Sequence, residues 1–357
     1  MRATFAERVR FLYHEQAAAQ LRPQASASSH LWGTYNGKIV PTSVWLTGAI
    51  ELWNQGFRGQ GIKVAVIDSG VASHDDLNDN VIAHYDFVDV SGAAKTMLHD
   101  HGTHVAGTIA GNGRNGDGGI LGVAPEAKIV DYRVLDKDGF GSYEAINSAI
   151  RHAADRCDII NLSLGGPFDD PDMHKAIQYA VREKNVLVVV ASGNYDGASA
   201  PVSKKNAKVS YPAYYPEVVG VGAVDLKKTG KVDKAYFSFY NGELDLCADG
   251  VDLVSCGMNN DYTVMSGTSM ASPVVAGFAA LLLSKARESQ TIEVSEPTLY
   301  AILKGTSIPL KTSSTSQVPP DWLYGRGLAS IFPAVPIRDD GGWAIPYVQD
   351  GAPNFGN

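Results

Sequence analysis

Between residues 62 and 248 the chain alternates unbroken apolar runs with segments of helical spacing. The runs are "IKVAVID", "AKIVDYRVL", "DIINLSL", "VLVVVAS", "VVGVGAV" and "LDLCA"; between them lie "YEAINSAIRHAAD" and "DMHKAIQYAVREK". A strand that is apolar on both faces must be covered on both faces. Such strands alternating with helices predict an α/β fold of three layers, α/β/α, around a mainly parallel central sheet. The segment "GTSMASPVVAGFAALLLSKA" is apolar on nearly every side and predicts a helix buried in the body of the domain. Pro273 is tolerated near its start, where backbone N–H groups lack partners inside the helix.

Composition narrows the function classes. With 45% hydrophobic and 19% charged residues over 357 positions, the chain has an ordinary globular make-up and can bury a large core. Its net charge of −8 argues against nucleic acid as a partner. No run reaches the roughly 18 apolar residues of a membrane span. The start, "MRATFAERVRFLYHEQ", has no apolar core of a secretory signal. Cys157, Cys247 and Cys256 are odd in number and lack CxxC spacing, which reads as buried, reduced thiols and leans toward an intracellular setting. Phe5, Val9, Leu12 and Leu21, with Tyr13 and Ala17, are spaced for a short amphipathic helix, followed by the linker-like "PQASASSH". "KTSSTSQVPP" at 311–320 reads as a surface loop, and the tail has no clear period.

In open parallel sheets ligands bind beyond the carboxyl ends of the strands. "VAVID" ends in Asp68, "DIINLSL" runs into Gly165 and Gly166, and "VLVVVAS" runs into Gly193 and Asn194. Two helix beginnings add "HGTHVAGTIAG", with His101, and "SGTSMASP", with Ser269. A serine hydroxyl is a poor nucleophile until an imidazole takes its proton, and a carboxylate must orient that imidazole. The oxyanion formed on attack needs fixed donors, which a carboxamide and an N–H at a helix start supply. Asp68, His101, Ser269 and Asn194 fill that list with one residue in each role. Singly, each has a plainer use as turn residue, cap or packed side chain, and spacing alone leaves His101 and His104 nearly tied as the base.

At these residues the sequence resembles the subtilisin-like serine proteases, the subtilases. "AVIDSGV" around Asp68, "HGTHVAGTIAG" around His101 and "SGTSMASPVVAG" around Ser269 match the family's three signatures in its own order. The resemblance covers roughly residues 38–332 and includes "GVAPEAKI", "INLSLGG", "SYPAYYPEVVGVGAVD" and "YGRGLASIFPA". It implies a subtilisin-like catalytic domain over 38–336, an N-terminal extension over 1–37 and a tail over 337–357. It implies a serine endopeptidase acting on proteins or peptides, without a catalytic cofactor. Ser269 would be the nucleophile, His101 the base, Asp68 its orienting carboxylate, and Asn194 an oxyanion donor. Ser163, Leu164, Gly165 and Gly166 would offer an edge to the substrate backbone. With Ala191, Ser192 and Gly193 they would wall a pocket whose small, uncharged lining suits large apolar or aromatic side chains. Tyr195 stands where the family is frequently acidic. Alternatives are a processing protease of narrow specificity and a silent subtilase fold that only binds.

The resemblance also implies structural calcium. One site would use Asp76 with Asn115 or Asp117, although Lys38 stands where a glutamine ligand often does. Glu243 and Asp245, facing carbonyls of "YPAYYPEV", would make a second. Secreted members carry a signal and a folding propeptide, for which 37 residues are too few, so the expectation is a cytoplasmic enzyme whose extension crosses the cleft as an inhibitory arm. The alternative is secretion, with a signal and a separate propeptide or inhibitor protein.

Overall fold

Every apolar run quoted above is a strand, and its two faces belong to two different cores. The computed structural model describes residues 32–88, 99–116, 118–195, 202–226, 232–288, 294–311 and 318–331, together with the backbone of 8–10, 348–349 and 352–353. The strands are β1 (Arg8–Arg10), β2 (Trp32–Tyr35), β3 (Lys38–Pro41), β4 (Lys63–Asp68), β5 (Val81–Asp86), β6 (Lys128–Arg133), β7 (Phe140–Ser142), β8 (Ile159–Leu162), β9 (Leu187–Ala191), β10 (Val219–Leu226), β11 (Val232–Lys234), β12 (Leu246–Asp249), β13 (Leu253–Cys256) and β14 (Tyr262–Met265). The helices are α1 (Thr42–Leu46), α2 (Ala49–Asn54), α3 (Asp100–Ala110), α4 (Tyr143–Ala154), α5 (Pro171–Gln178), α6 (Thr268–Glu288), α7 (Glu296–Thr306) and α8 (Pro320–Tyr324).

The central sheet runs β11-β10-β9-β8-β4-β6-β5, with β12 also paired to β10. All its pairings are parallel except β10 with β11. Side chains alternate across a strand. Val64, Val66, Ile129 and Val189 therefore join α3 and α6 in one core, while Ala65, Ile67, Val130, Leu162 and Val190 join α4 and α5 in the other. This is the α/β/α sandwich expected of the alternating pattern. Helix α6 is long and apolar enough to cross a membrane, yet 83% of its most apolar stretch is buried in the molecule. It is the hub of the first core.

Two elements depart from the sequence reading. Arg8–Arg10 is a strand, antiparallel to β7 with Val9 opposite Gly141, within the segment whose spacing suggested a helix. A lone short helix is marginal in water, and a free strand edge offers backbone partners that outweigh its weak propensity. The rest of that segment lies outside the described residues, as do 312–317 of the expected loop and most of the tail. Residues 179–183 continue α5 as a π-helical turn, so the expected helix over 172–184 is present but underwound near its end.

Candidate active site

Parallel strands deliver the site. Asp68 ends β4, Ser163 follows β8, and Asn194 lies three residues beyond β9. Helix α3 begins at Asp100, and the His99 ring caps it by accepting the His101 N–H at 3.1 Å. Gly102 then lets α3 lie against the turn after β4. A Cβ there would stand 2.4 Å from the Gly70 carbonyl oxygen. Held so, His101 Nδ1 is 2.7 Å from Asp68 Oδ1, and both side chains are fully buried. A carboxylate only accepts, so the ring proton sits on Nδ1 and Nε2 is the basic nitrogen of the neutral ring. The Ser69 N–H also donates to Asp68 Oδ1, at 2.6 Å.

Ser269 is the second residue of α6, which packs against α3. Pro273, four residues on, has no N–H for the Ser269 carbonyl. Ser163 fills that gap: its hydroxyl donates to the Ser269 carbonyl at 2.8 Å, and the Ser269 hydroxyl donates back to the Ser163 carbonyl at 3.1 Å. Asn161 donates to the Ser163 hydroxyl and accepts from Ser272, locking β8 to the start of α6. The Asn194 side-chain oxygen accepts both the N–H and the hydroxyl of Thr268, at 3.0 and 2.9 Å. That fixes the amide with its Nδ2 turned toward Gly267. A Cβ on Gly267 would lie 3.3 Å from Asn194 Nδ2 and 3.6 Å from the Ser269 nitrogen, so both nitrogens border a spot kept open by glycine.

A buried carboxylate–imidazole pair on one helix start, a serine on the next and paired N–H donors beside it follow the order Asp, His, Ser. The subtilase family model matches residues 59–327. The chain belongs to the subtilase family. It is 41% identical over 283 residues to the major intracellular serine protease of Bacillus subtilis (strain 168), covering 77% of this chain and 85% of that protein. It is 40% identical over 280 residues to the intracellular serine protease of Paenibacillus polymyxa, covering 77% and 82%. Subtilisin DY of Bacillus licheniformis is 38% identical over 298 residues, covering 82% and 98%. The protein is thus a subtilisin-type serine endopeptidase, whose substrates are proteins or peptides.

The residues expected to wall a pocket are small because of what stands behind them. A Cβ at Gly165 would meet the Ser210 hydroxyl at 2.3 Å, and one at Gly193 would meet the Phe239 ring at 2.6 Å. Gly166 is tied to Tyr211 by two backbone bonds of 2.9 and 2.8 Å. Ser192 donates to the Phe239 carbonyl, and Leu164 is buried in the second core. Tyr195 packs edge-on against Phe239 and donates its hydroxyl to the Asn206 carbonyl, bringing no charge to the rim.

The other two histidines of "HDHGTHVAGTIAG" have separate duties. His99 is the cap. His104 is fully buried, its Nε2 against the Leu253 carbonyl at 2.9 Å, and burial pulls its pKa down to about 4, so it stays neutral. Gly107 is small because α3 rides on Ser255 and Cys256. Cys157, Cys247 and Cys256 are free and buried.

The calcium expectation meets a filled arrangement. Asp76 is fully buried, and its oxygens accept the N–H groups of Asn115 and Ile120 and the hydroxyl of Tyr262. Lys38 donates its ammonium to the Gly116 carbonyl across the same loop. Asp117 lies outside the described residues. Glu243 and Asp245 line a cavity of about 390 Å³ with Tyr215 and Pro216, as expected. Yet Asp245 accepts from Gly220 N–H, the Tyr300 hydroxyl and the Lys304 ammonium. A hard cation takes converging oxygens with open lone pairs. Here N–H, O–H and NH3⁺ donors already engage both oxygens of Asp76 and of Asp245. Sequence reasoning missed Asn161, Thr268 and Ser272 as supports, although Asn161 lies inside "INLSLGG" and Thr268 and Ser272 lie inside "SGTSMASP".

Proposed function

We propose that the subtilase cuts peptide bonds by acyl transfer with Asp68, His101 and Ser269 as its triad. The observation that carries this is the 2.7 Å bond from His101 Nδ1 to a fully buried Asp68. It fixes one tautomer and one ring orientation, leaving Nε2 to take the Ser269 proton as the hydroxyl attacks the scissile carbonyl. The tetrahedral oxyanion forms against Asn194 Nδ2 and the Ser269 N–H. His101 then gives the proton to the leaving amine, and water repeats the sequence in reverse to free the acid. Nucleophile, base and donors all come from the chain, so no cofactor is needed. Asp68 steadies the imidazolium that forms.

The substrate backbone adds along Ser163–Gly166, and the side chain before the cut enters between that segment and Ala191–Gly193. Glycine walls without charge favour large apolar or aromatic residues there. Residues 1–37 act as a restraining arm. Support comes from the pairing of Arg8–Arg10 with Phe140–Ser142, an edge that leads into Tyr143, whose hydroxyl donates at 3.4 Å to the Phe168 carbonyl, two residues beyond the substrate segment. The named intracellular relatives favour a cytoplasmic setting. Digestion of a peptide library tests the reading. Cuts should follow large apolar and aromatic residues and vanish in Ser269→Ala; cuts that persist in that variant, or that follow basic residues, overturn it.

A further inference from the structure

Asp131 is a second buried carboxylate close to the triad, and nothing in the triad's chemistry uses it. It lies on β6 beside Val66, as Arg133 lies beside Asp68. Strand alternation therefore puts Asp131 and Asp68 on the same face of the sheet. Asp131 is 4% exposed, and a carboxylate held so far from water destabilises the fold unless it is bonded. Its Oδ2 accepts the Val71 N–H at 3.1 Å and faces His84 Nδ1 at 3.0 Å, while its Oδ1 has no hydrogen-bond partner among the described residues.

Val71 belongs to the loop that follows the catalytic aspartate, and this loop touches every part of the base's support. The Ser69 N–H donates to Asp68 Oδ1, and the Ser69 hydroxyl accepts the Gly102 N–H at 3.1 Å. Gly70 backs on Gly102, and the Ala72 N–H donates to the Thr103 hydroxyl at 2.9 Å. Residues 69–72 thus grip Asp68 and the first turn of α3 together. The bond from Val71 to Asp131 ties that grip back to the sheet.

We propose that Asp131 is a positioning residue for the His101–Asp68 pair, acting through the Val71 N–H and the loop of residues 69–72. His84 is its outer counter-charge, with its side chain 61% exposed on the edge strand β5. The hydrogen bond to Asp131 raises the His84 pKa, and burial raises that of Asp131. The other charged groups around the pair are Asp68 on β4 and the Asp86–Arg133 ion pair, closed at 2.9 Å.

This inference rests on the triad reading, and the experiment separates the two. Rates of the full chain and its variants are normalised to active sites titrated with a fluorophosphonate; if wild type takes no label, the triad reading fails rather than this one. Asp131→Ala should lower kcat about tenfold, the scale of a slightly misplaced base, with KM held within about twofold. Asp131→Asn keeps an oxygen for the Val71 N–H and should recover most of that loss. It removes a buried negative charge that favours the imidazolium, so its acidic limb of kcat/KM should move to lower pH. An undiminished kcat in Asp131→Ala, an Asp131→Asn as slow as Asp131→Ala, or an unmoved acidic limb overturns the proposal. Where Asp131→Ala yields no folded enzyme, the acidic limb of Asp131→Asn decides alone.

Discussion

Asn194 illustrates how a residue that reads as a turn former becomes a donor. Its oxygen is pinned by the N–H and hydroxyl of Thr268, so its NH2 is held where the proposed mechanism forms the oxyanion. Donors fixed before reaction act without reorganising, and they bind developing charge better than the ground-state carbonyl. Replacing Asn194 by leucine should lower kcat by about 10²–10³ with little change in KM, the loss known for subtilisin's own oxyanion-hole asparagine. Thr268→Val, which removes one of the two bonds holding the amide, should show the same pattern in smaller measure. Steady-state kinetics on one peptide substrate separates kcat from KM. A loss carried by KM would show that these residues bind substrate rather than its transition state.

At the scale of elements, what the sequence made legible is what hydrophobicity dictates. "KVAVID" and "LVVVA" have no polar face, so they could only be central strands. "GTSMASPVVAG" could only be a buried helix, and the polar residues at strand ends marked the site. Elements with weaker patterns escaped. β5 alternates partly buried with exposed side chains at the sheet edge and carries His84 and Asp86, while β13 and β14 pair only with each other. The His99 cap had no signal, since capping is ordinarily the work of serine, threonine, aspartate or asparagine. Asn161 and Ser272 serve a carbonyl freed by Pro273, a relation visible only once α6 is placed against β8. At Arg8–Arg10 a strand paired to β7 stands within the segment whose spacing suggested a helix. A strand added to a sheet edge is also easily removed. Deleting residues 1–37 should therefore raise the rate on a short peptide, and adding the excised segment as a peptide should lower it again. An unchanged rate contradicts the arm.

The whole molecule carries a buried neutral histidine as a fixed cost at low pH. The folded pKa of His104 is about 4 against an ordinary 6.5, so within that interval the unfolded chain binds a proton that the folded chain refuses. Stability then rises with pH through the window and is lost as pH falls through it, by up to about 3 kcal/mol for this one group. Denaturant unfolding of the Ser269→Ala protein, which cannot digest itself, should show a marked fall in stability from pH 7 to pH 4.5. The fall should be shallower when His104→Gln, which can still donate to the Leu253 carbonyl, is added. Equal slopes would place the acid sensitivity elsewhere.

On the proposed mechanism the three-layer fold, the locked helix starts and the neighbouring N–H groups all serve one purpose, a serine made nucleophilic by His101. A fluorophosphonate reacts covalently with an activated serine and scarcely with an ordinary one. Intact-mass spectrometry of the full chain after exposure should show a single adduct mapped to Ser269, absent in Ser269→Ala and slowed by orders of magnitude in His101→Ala. An unlabelled wild type, or a His101→Ala protein labelled at the wild-type rate, would contradict the assignment of Ser269 and His101 as nucleophile and base.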